Sequence, residues 1–368
     1  MNYCKRCVMP DTKPDLDLDA DGVCSACRAY ERRGEIDWAA RERELATLFD
    51  TYRGDGTWYD CVVPVSGGKD STFQLMTALR YGMTPLAVTG TTCDLSDIGR
   101  ANINNLQRMC DHVEFTTNRA VRAKMNRIAL EEVGDISLPE HLSIFVIPAR
   151  MAVAYNIPLI VWGENSQDEY GGPAASQDSP VLDREWLNRF GGLLGMQPDG
   201  FVGKLGIRER DIAAWRYPTD DDLARVGVTG LFLGHYIPWD GMTNALFSQA
   251  HGLTTFPRAV EGSLVSYENL DNYQTGIHDY FCYMKYGYGR VTAQACLQIR
   301  RGRLSREDAM QIVRERDGAY PWTCLGKPLE DVLAPLGMSV VEFDGICHEW
   351  TNWDIFDGYR EDGSPRIR

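Results

Sequence analysis

No run of apolar residues in this 368-residue chain is long enough to span a bilayer, which argues against a membrane-spanning helix. The N-terminal Met1-Asn2-Tyr3-Cys4-Lys5-Arg6-Cys7 lacks the apolar segment of a secretory signal. Together these absences predict a soluble, cytoplasmic protein. Basic excess is missing too: the formal net charge is −14, spread along the chain. A surface that grips a polyanion needs positive charge, because phosphate contacts and counterion release supply most of the affinity. Nucleic acid is therefore disfavoured as the main partner, with Arg300-Arg301-Gly302-Arg303 as a local basic exception. The Walker pattern Gly-x4-Gly-Lys-Ser/Thr does not occur, and there is no internal repeat or low-complexity tail. Nothing resembles a glutaminase, since no Cys-His-acid constellation stands out among Cys61, Cys93, Cys110, Cys282, Cys296, Cys324 and Cys347. Most of these seven are expected to pack as small apolar residues.

What the chain has is a hydrophobic content of 44%, enough for a sizeable core in one large domain with accessories, or in two domains. Four of its eleven cysteines are set apart by spacing: Cys4-x2-Cys7, sixteen residues, then Cys24-x2-Cys27. Two residues between thiolates let each pair turn around one ion, and four soft sulfurs close a tetrahedral shell. Asp, Pro and Gly between the pairs suit turns held by metal rather than by a core. The pattern predicts a structural Zn²⁺ site over residues 1–30; the alternatives are unrelated free thiols or an iron–sulfur cluster.

Residues 31–57 read as a connecting helix and its break. Leu45, Leu48, Phe49 and Tyr52 form one apolar stripe, and Gly54-Asp55-Gly56 interrupts it. From 58 to 170, short β-prone runs alternate with helical ones: 60–65, 84–89, 113–116 and 157–162 as strands, about 71–80, 97–110, 118–133 and 140–155 as helices. This alternation predicts an α/β fold with a doubly wound, mainly parallel sheet covered on both faces. Residues 171–260, rich in Gly and Pro, read as an irregular insertion that builds a substrate pocket. Residues 261–368 read as mostly helical.

The chemistry concentrates at Ser66-Gly67-Gly68-Lys69-Asp70-Ser71, between the first strand and its helix. Glycines let the backbone approach phosphates, and a helix N-terminus offers unpaired N–H groups and the positive end of its dipole. Ser66 and Ser71 add hydroxyls, Lys69 neutralises phosphate charge, and Asp70 can hold Mg²⁺. Because ligands sit at the carboxyl ends of such strands, Thr89-Gly90 and Gly163-Glu164-Asn165 are placed near the nucleotide or substrate. Glu164 and Asp168 are candidate Mg²⁺ or substrate ligands; helix capping or solvation is the alternative. Asn269, Asp271, Tyr273, Gln274, His278, Tyr283, Lys285 and Arg290 form an aromatic and polar stretch. Lys285 and Arg290 are candidates to meet a diphosphate there, while the aromatic rings suit a buried helix face.

The loop resembles the PP-loop of the ATP pyrophosphatase superfamily, which implies binding of ATP and cleavage between its α and β phosphates. Joined to Cys-x2-Cys-Val-Met-Pro-Asp-Thr, Gly22-Val23-Cys24-Ser25-Ala26-Cys27, Ile157-Pro158-Leu159-Ile160-Val161-Trp162-Gly163-Glu164-Asn165 and Glu169-Tyr170-Gly171-Gly172, it resembles the N-acetyl sugar amidotransferase family of bacterial surface polysaccharide (O-antigen) biosynthesis. That resemblance implies that ATP adenylates the acetamido oxygen of a sugar nucleotide and that ammonia then displaces AMP to leave an acetamidine. It implies Lys69 and Asp70 as catalytic residues, and ammonia supplied by a separate glutaminase through a cyclase-like partner. Two rival readings are a PP-loop tRNA thiolase and a non-catalytic nucleotide- and zinc-binding interaction protein.

Overall fold

The computed structural model describes residues 1–172, 180–182 and 195–368, with only the backbone at Gln167 and Asp168. Its centre is a six-stranded sheet of β1 (Cys61–Pro64), β2 (Pro85–Gly90), β3 (His112–Phe115), β4 (Leu159–Trp162), β5 (Val181–Leu182) and β6 (Thr229–Phe232), in the order β3-β2-β1-β4-β6-β5. All neighbours pair in parallel except β5, which runs antiparallel to β6. The sequence climbs from β1 to β3 on one side and resumes with β4 on the other. The winding therefore reverses between β1 and β4, the place where such sheets bind ligands.

The strands read as continuous apolar runs because both faces are covered. Side chains alternate across the pleat, so Cys61, Val63 and Val65 meet Leu45 and Phe49 of α2 (Trp38–Tyr52) and Leu75 of α3 (Lys69–Arg80). On the opposite face Val62, Leu86, Val88 and Ile160 meet Ile147, Ala149 and Ala152 of α6 (Leu138–Tyr155). Two helices flank this frame with clear sequence signals. Ser96 caps α4 (Asp97–Leu106), and Asn118 caps α5 (Arg119–Val133), which ends on Gly134.

One element departs from the sequence reading. Residues 229–232 do not belong to an irregular insertion: they are β6, in register with β4 from Leu159↔Thr229 to Trp162↔Phe232. The sheet therefore does not end near residue 170. A four-residue run containing Gly230 carries too little periodicity to be told from a loop; its pairing partner makes it a strand. Much of the remaining 171–194 stretch lies outside the described residues.

The C-terminal part packs the helices Thr275–Tyr286 and Val340–Trp350 around Ile277, Phe281, Leu333 and Phe343, and sets the helices Arg290–Arg300 and Arg306–Arg316 against the N-terminal cysteines through Ala295, Cys296 and Ala309, with two small antiparallel ribbons at 323–328 and 356–367. It is laced to the sheet through the loop after β2. Tyr273 N donates to Asp94 O at 3.1 Å, Ser96 N donates to Asp271 O at 3.1 Å, and Leu95 bridges Asn272. No described helix is long and apolar enough to cross a membrane.

Candidate functional site

The phosphate loop occupies the turn from β1 into α3, with Gly68 as the helix N-cap. Gly67 has φ +86°, and a Cβ there would stand 3.0 Å from Ile103 N, so neither the backbone twist nor the approach of α4 admits a side chain. The helix Gly241–Ala250 braces the loop from outside: Ser248 Oγ donates to Lys69 O at 2.7 Å, and Asn244 Nδ2 to Asp70 Oδ1 at 2.9 Å. Lys69 is 9% exposed. Its ammonium contacts the Asp70 carboxylate and lies 3.3 Å from Glu268 Oε1. Burial disfavours its charge, but those two carboxylates outweigh burial and hold its pKa well above the usual lysine value.

Two confluent cavities open at this switch point. The first, about 210 Å³, runs along the loop and is closed by Tyr170, Glu268, Asp271 and Arg290. The second, about 360 Å³, lies over the carboxyl ends of β1 and β2 and is largely apolar, with Val65, Leu95, Ile103, Phe145, Trp162 and Phe232 in its walls. Ser66, Asp70, Ser71, Glu164 and Asp271 belong to both. The first cavity is mostly polar and the second mostly apolar, and the two share a wall where the winding of the sheet reverses.

Ser66, Gly67, Gly68, Lys69, Asp70 and Ser71 all line the first cavity, and Gly90, Gly163 and Glu164 line the second. Thr89 also borders the second, but its hydroxyl is committed to Val65 O at 2.6 Å and shares a bond with His112 Nε2 at 2.8 Å. Burial, with the neighbouring Asp70 charge, raises the Glu164 carboxyl to about 7. Asn165 is buried outside both cavities, its carbonyl accepting from Glu169 N at 3.2 Å. The side chain of Asp168 lies outside the described residues. Arg290 reaches the first cavity while gripping Asp279 through Nη2–Oδ1 at 2.9 Å and Nε–Oδ2 at 3.1 Å.

Lys285 is not brought to the site. It donates to Val133 O at 3.3 Å and lies over the Tyr286 and Trp350 rings, because its position on the helix Thr275–Tyr286 faces α5. Sequence reading missed Glu268 and the closing roles of Tyr170 and Asp271. Glu268 sits in an irregular segment, where no periodicity announces which side chains converge.

The four N-terminal cysteines form a second, closed centre. All are buried, and their sulfurs lie within 4.8 Å of one another, the sole such set among the described residues. Cys4 and Cys27 sulfurs are 4.0 Å apart, and Cys7 and Cys24 sulfurs 3.6 Å. A tetrahedral zinc with Zn–S bonds of about 2.3 Å has edges of about 3.8 Å, so the set can hold a zinc ion. Backbone N–H groups of Arg6, Cys7 and Cys24 point at Cys4 Sγ from 3.3–3.5 Å, spreading the charge of a thiolate. Arg306 clamps the knuckle to the C-terminal helices through Cys7 O at 3.0 Å and Cys4 O at 3.2 Å.

Residues 255–364 match the family described as LPS biosynthesis protein WbpG-like, C-terminal domain. No curated protein matches the chain. The matched segment carries Glu268, Asp271 and Arg290.

Proposed function

From the premise of a lipopolysaccharide-biosynthesis C-terminal domain, we propose that this chain is an ATP-dependent, AMP- and pyrophosphate-forming amidotransferase of PP-loop type. It converts the acetamido group of an N-acetylated sugar nucleotide to an acetamidino group. The observation that carries the reading is the confluence of the Ser66–Ser71 loop with an apolar slot at the winding reversal of the sheet. Adenine fits the slot against Trp162 and Phe145, and the phosphates follow the loop toward Lys69. The amide oxygen attacks the α-phosphorus and pyrophosphate leaves. Ammonia then attacks the imidate carbon and AMP leaves.

No side-chain nucleophile is needed, so the site's work is positioning and charge stabilisation. Gly67 and Gly68 offer backbone N–H groups, Lys69 offsets charge on the departing pyrophosphate, and Glu268 keeps that ammonium in place. Mg²⁺, when bound, neutralises phosphate oxygens; Asp70 and Glu164 are the carboxylates suited to it, since this ion keeps several waters and needs few protein ligands. Ammonia from a separate glutaminase through a cyclase-like subunit completes the reading. The thiolase alternative needs a basic tRNA-binding surface, against the net charge of −14, and often a reactive thiol, whereas burial pushes Cys93, Cys282 and Cys324 up to about 12 and Cys110 up to about 11.

The test is pyrophosphate release by zinc-replete protein with ATP, Mg²⁺, ammonium and a panel of acetamido sugar nucleotides, with mass spectrometry of the sugar. Ammonia-dependent acetamidine formation with AMP in step is the expected result. No turnover across the panel, together with tight tRNA binding, would favour the thiolase.

A further inference from the structure

Displacement of AMP by ammonia leaves one proton to be placed, a question that rests on the amidotransferase reading. The nitrogen lone pair forms the new C–N bond at the imidate carbon. The ammonium centre so created must give a proton to a base. The C–O bond to AMP then breaks, its electron pair leaving on the phosphate oxygen.

Four carboxylates line the first cavity: Asp70, Glu164, Glu268 and Asp271. Asp70 and Glu268 are committed to Lys69, and each takes a further amide hydrogen bond, from Asn244 at 2.9 Å and from Gln294 at 2.6 Å. Burial and the Asp70 charge raise the Glu164 carboxyl, and the Lys69 charge acts against them. Asp271 differs. Like Asp70 and Glu164 it stands in the wall of both cavities, but no ion pair among the described residues holds it, and burial and its own amide shape its acidity.

Its backbone is held by the loop after β2. Asp271 O accepts from Ser96 N at 3.1 Å and from Thr92 Oγ1 at 3.5 Å, while Leu95 bridges Asn272, the next residue. Gly99 opens the space: a Cβ there would lie 2.6 Å from Asp271 Cα. The C-terminal segment thus delivers an uncommitted carboxylate to the place where the trough meets the slot, beside the α-phosphate position of a nucleotide filling both.

We propose that Asp271 is the base that takes the proton from the attacking nitrogen. The charged groups that share its cavity are Lys69 and Asp70 of α3, Glu164 after β4, the nearby Glu268, and Arg290. In the loop packed against it, Asp94 is neutralised by Lys327 at 2.6 Å. Across the second cavity, Glu140 is held by Asn126 at 2.7 Å and faced by Arg122. Burial raises the Asp271 carboxyl to about 6, so the base form fills as pH rises through that value.

Two assays separate the steps. ATP–pyrophosphate exchange in the presence of an acetamido sugar nucleotide reads adenylation, and ammonia-dependent acetamidine formation reads the whole reaction. In Asp271→Asn, acetamidine formation should fall about 100-fold or more while exchange stays within about threefold. At constant free ammonia, the wild type should show an acid limb near pH 6 that the variant lacks. Asp271→Ser, which removes the carboxylate with a smaller side chain, should give the same selective loss, and it is the variant to read if Asp271→Asn melts early. Equal loss of exchange and amidination, or an unchanged amidination rate, overturns the role of Asp271. Absence of exchange in the wild type overturns the amidotransferase reading itself, and the step with it.

Discussion

The cysteine knuckle and the phosphate loop are both short motifs built on tight turns, yet they face opposite ways. In the knuckle every sulfur turns inward, three amides point at Cys4, and Arg306 seals the outside. In the loop the helix N-terminus and Ser66, Ser71, Glu164 and Asp271 face open volume. A centre that exhausts its donors on one ion can only hold structure, whereas one that leaves donors and carboxylates directed into a cavity can act on what enters.

The sharpest way to break this contrast is Lys69→Ala. Pyrophosphate release should fall about 100- to 1,000-fold, the size of losing one preorganised charge contact, with zinc content unchanged by atomic absorption. Loss of zinc would show that the two centres are not separate. Cys24→Ser is the reciprocal test. Zinc should drop from about one per chain and the melting temperature should fall, while ATP retained by the remaining folded protein binds with little change. Unchanged melting would remove the structural role.

Gly67→Ala probes the loop's backbone alone. The positive φ and the 3.0 Å approach to Ile103 N should cost about 1–3 kcal/mol and weaken ATP binding about tenfold or more, read by calorimetry. The smallest effect lies away from both centres, at His278, whose Nδ1 is 2.7 Å from Asp135 Oδ1. Burial opposes the histidine's charge, but Asp135 raises its pKa. Burial likewise opposes the Asp135 charge, and His278 then lowers its pKa. The histidine's contribution is full below its unfolded pKa of about 6.5 and fades as pH climbs through the raised folded value; the aspartate's is present above about pH 4 and fades in acid. His278→Gln should therefore destabilise by about 1 kcal/mol near pH 5.5 and by less near pH 9, measured by urea unfolding at both.

Legibility followed locality. The stripe Leu45, Leu48, Phe49 and Tyr52 and the run Val62-Val63 declared a helix and a strand because their neighbours in sequence decide their burial. The knuckle and loop were legible for the same reason: each ligand set lies within a few turns of chain. β6 was missed because only the register with β4 makes residues 229–232 a strand. Lys285 was misplaced because helix phase alone does not say that its face meets α5 rather than the cavity.

The sequence by itself determined the alternating α/β core, the four-sulfur set and the glycine turn from β1 into α3, since the forces involved act over short stretches of chain: side-chain periodicity, glycine's positive φ and the spacing of thiolates. Only the tertiary structure decided that Glu268 pairs with Lys69 across about 200 residues, and that Asp271 enters beside Gly99 to stand between two cavities. Those placements depend on how the segment ahead of the helix Thr275–Tyr286 docks against the loop after β2. That docking is set by packing between distant segments, which no local pattern encodes.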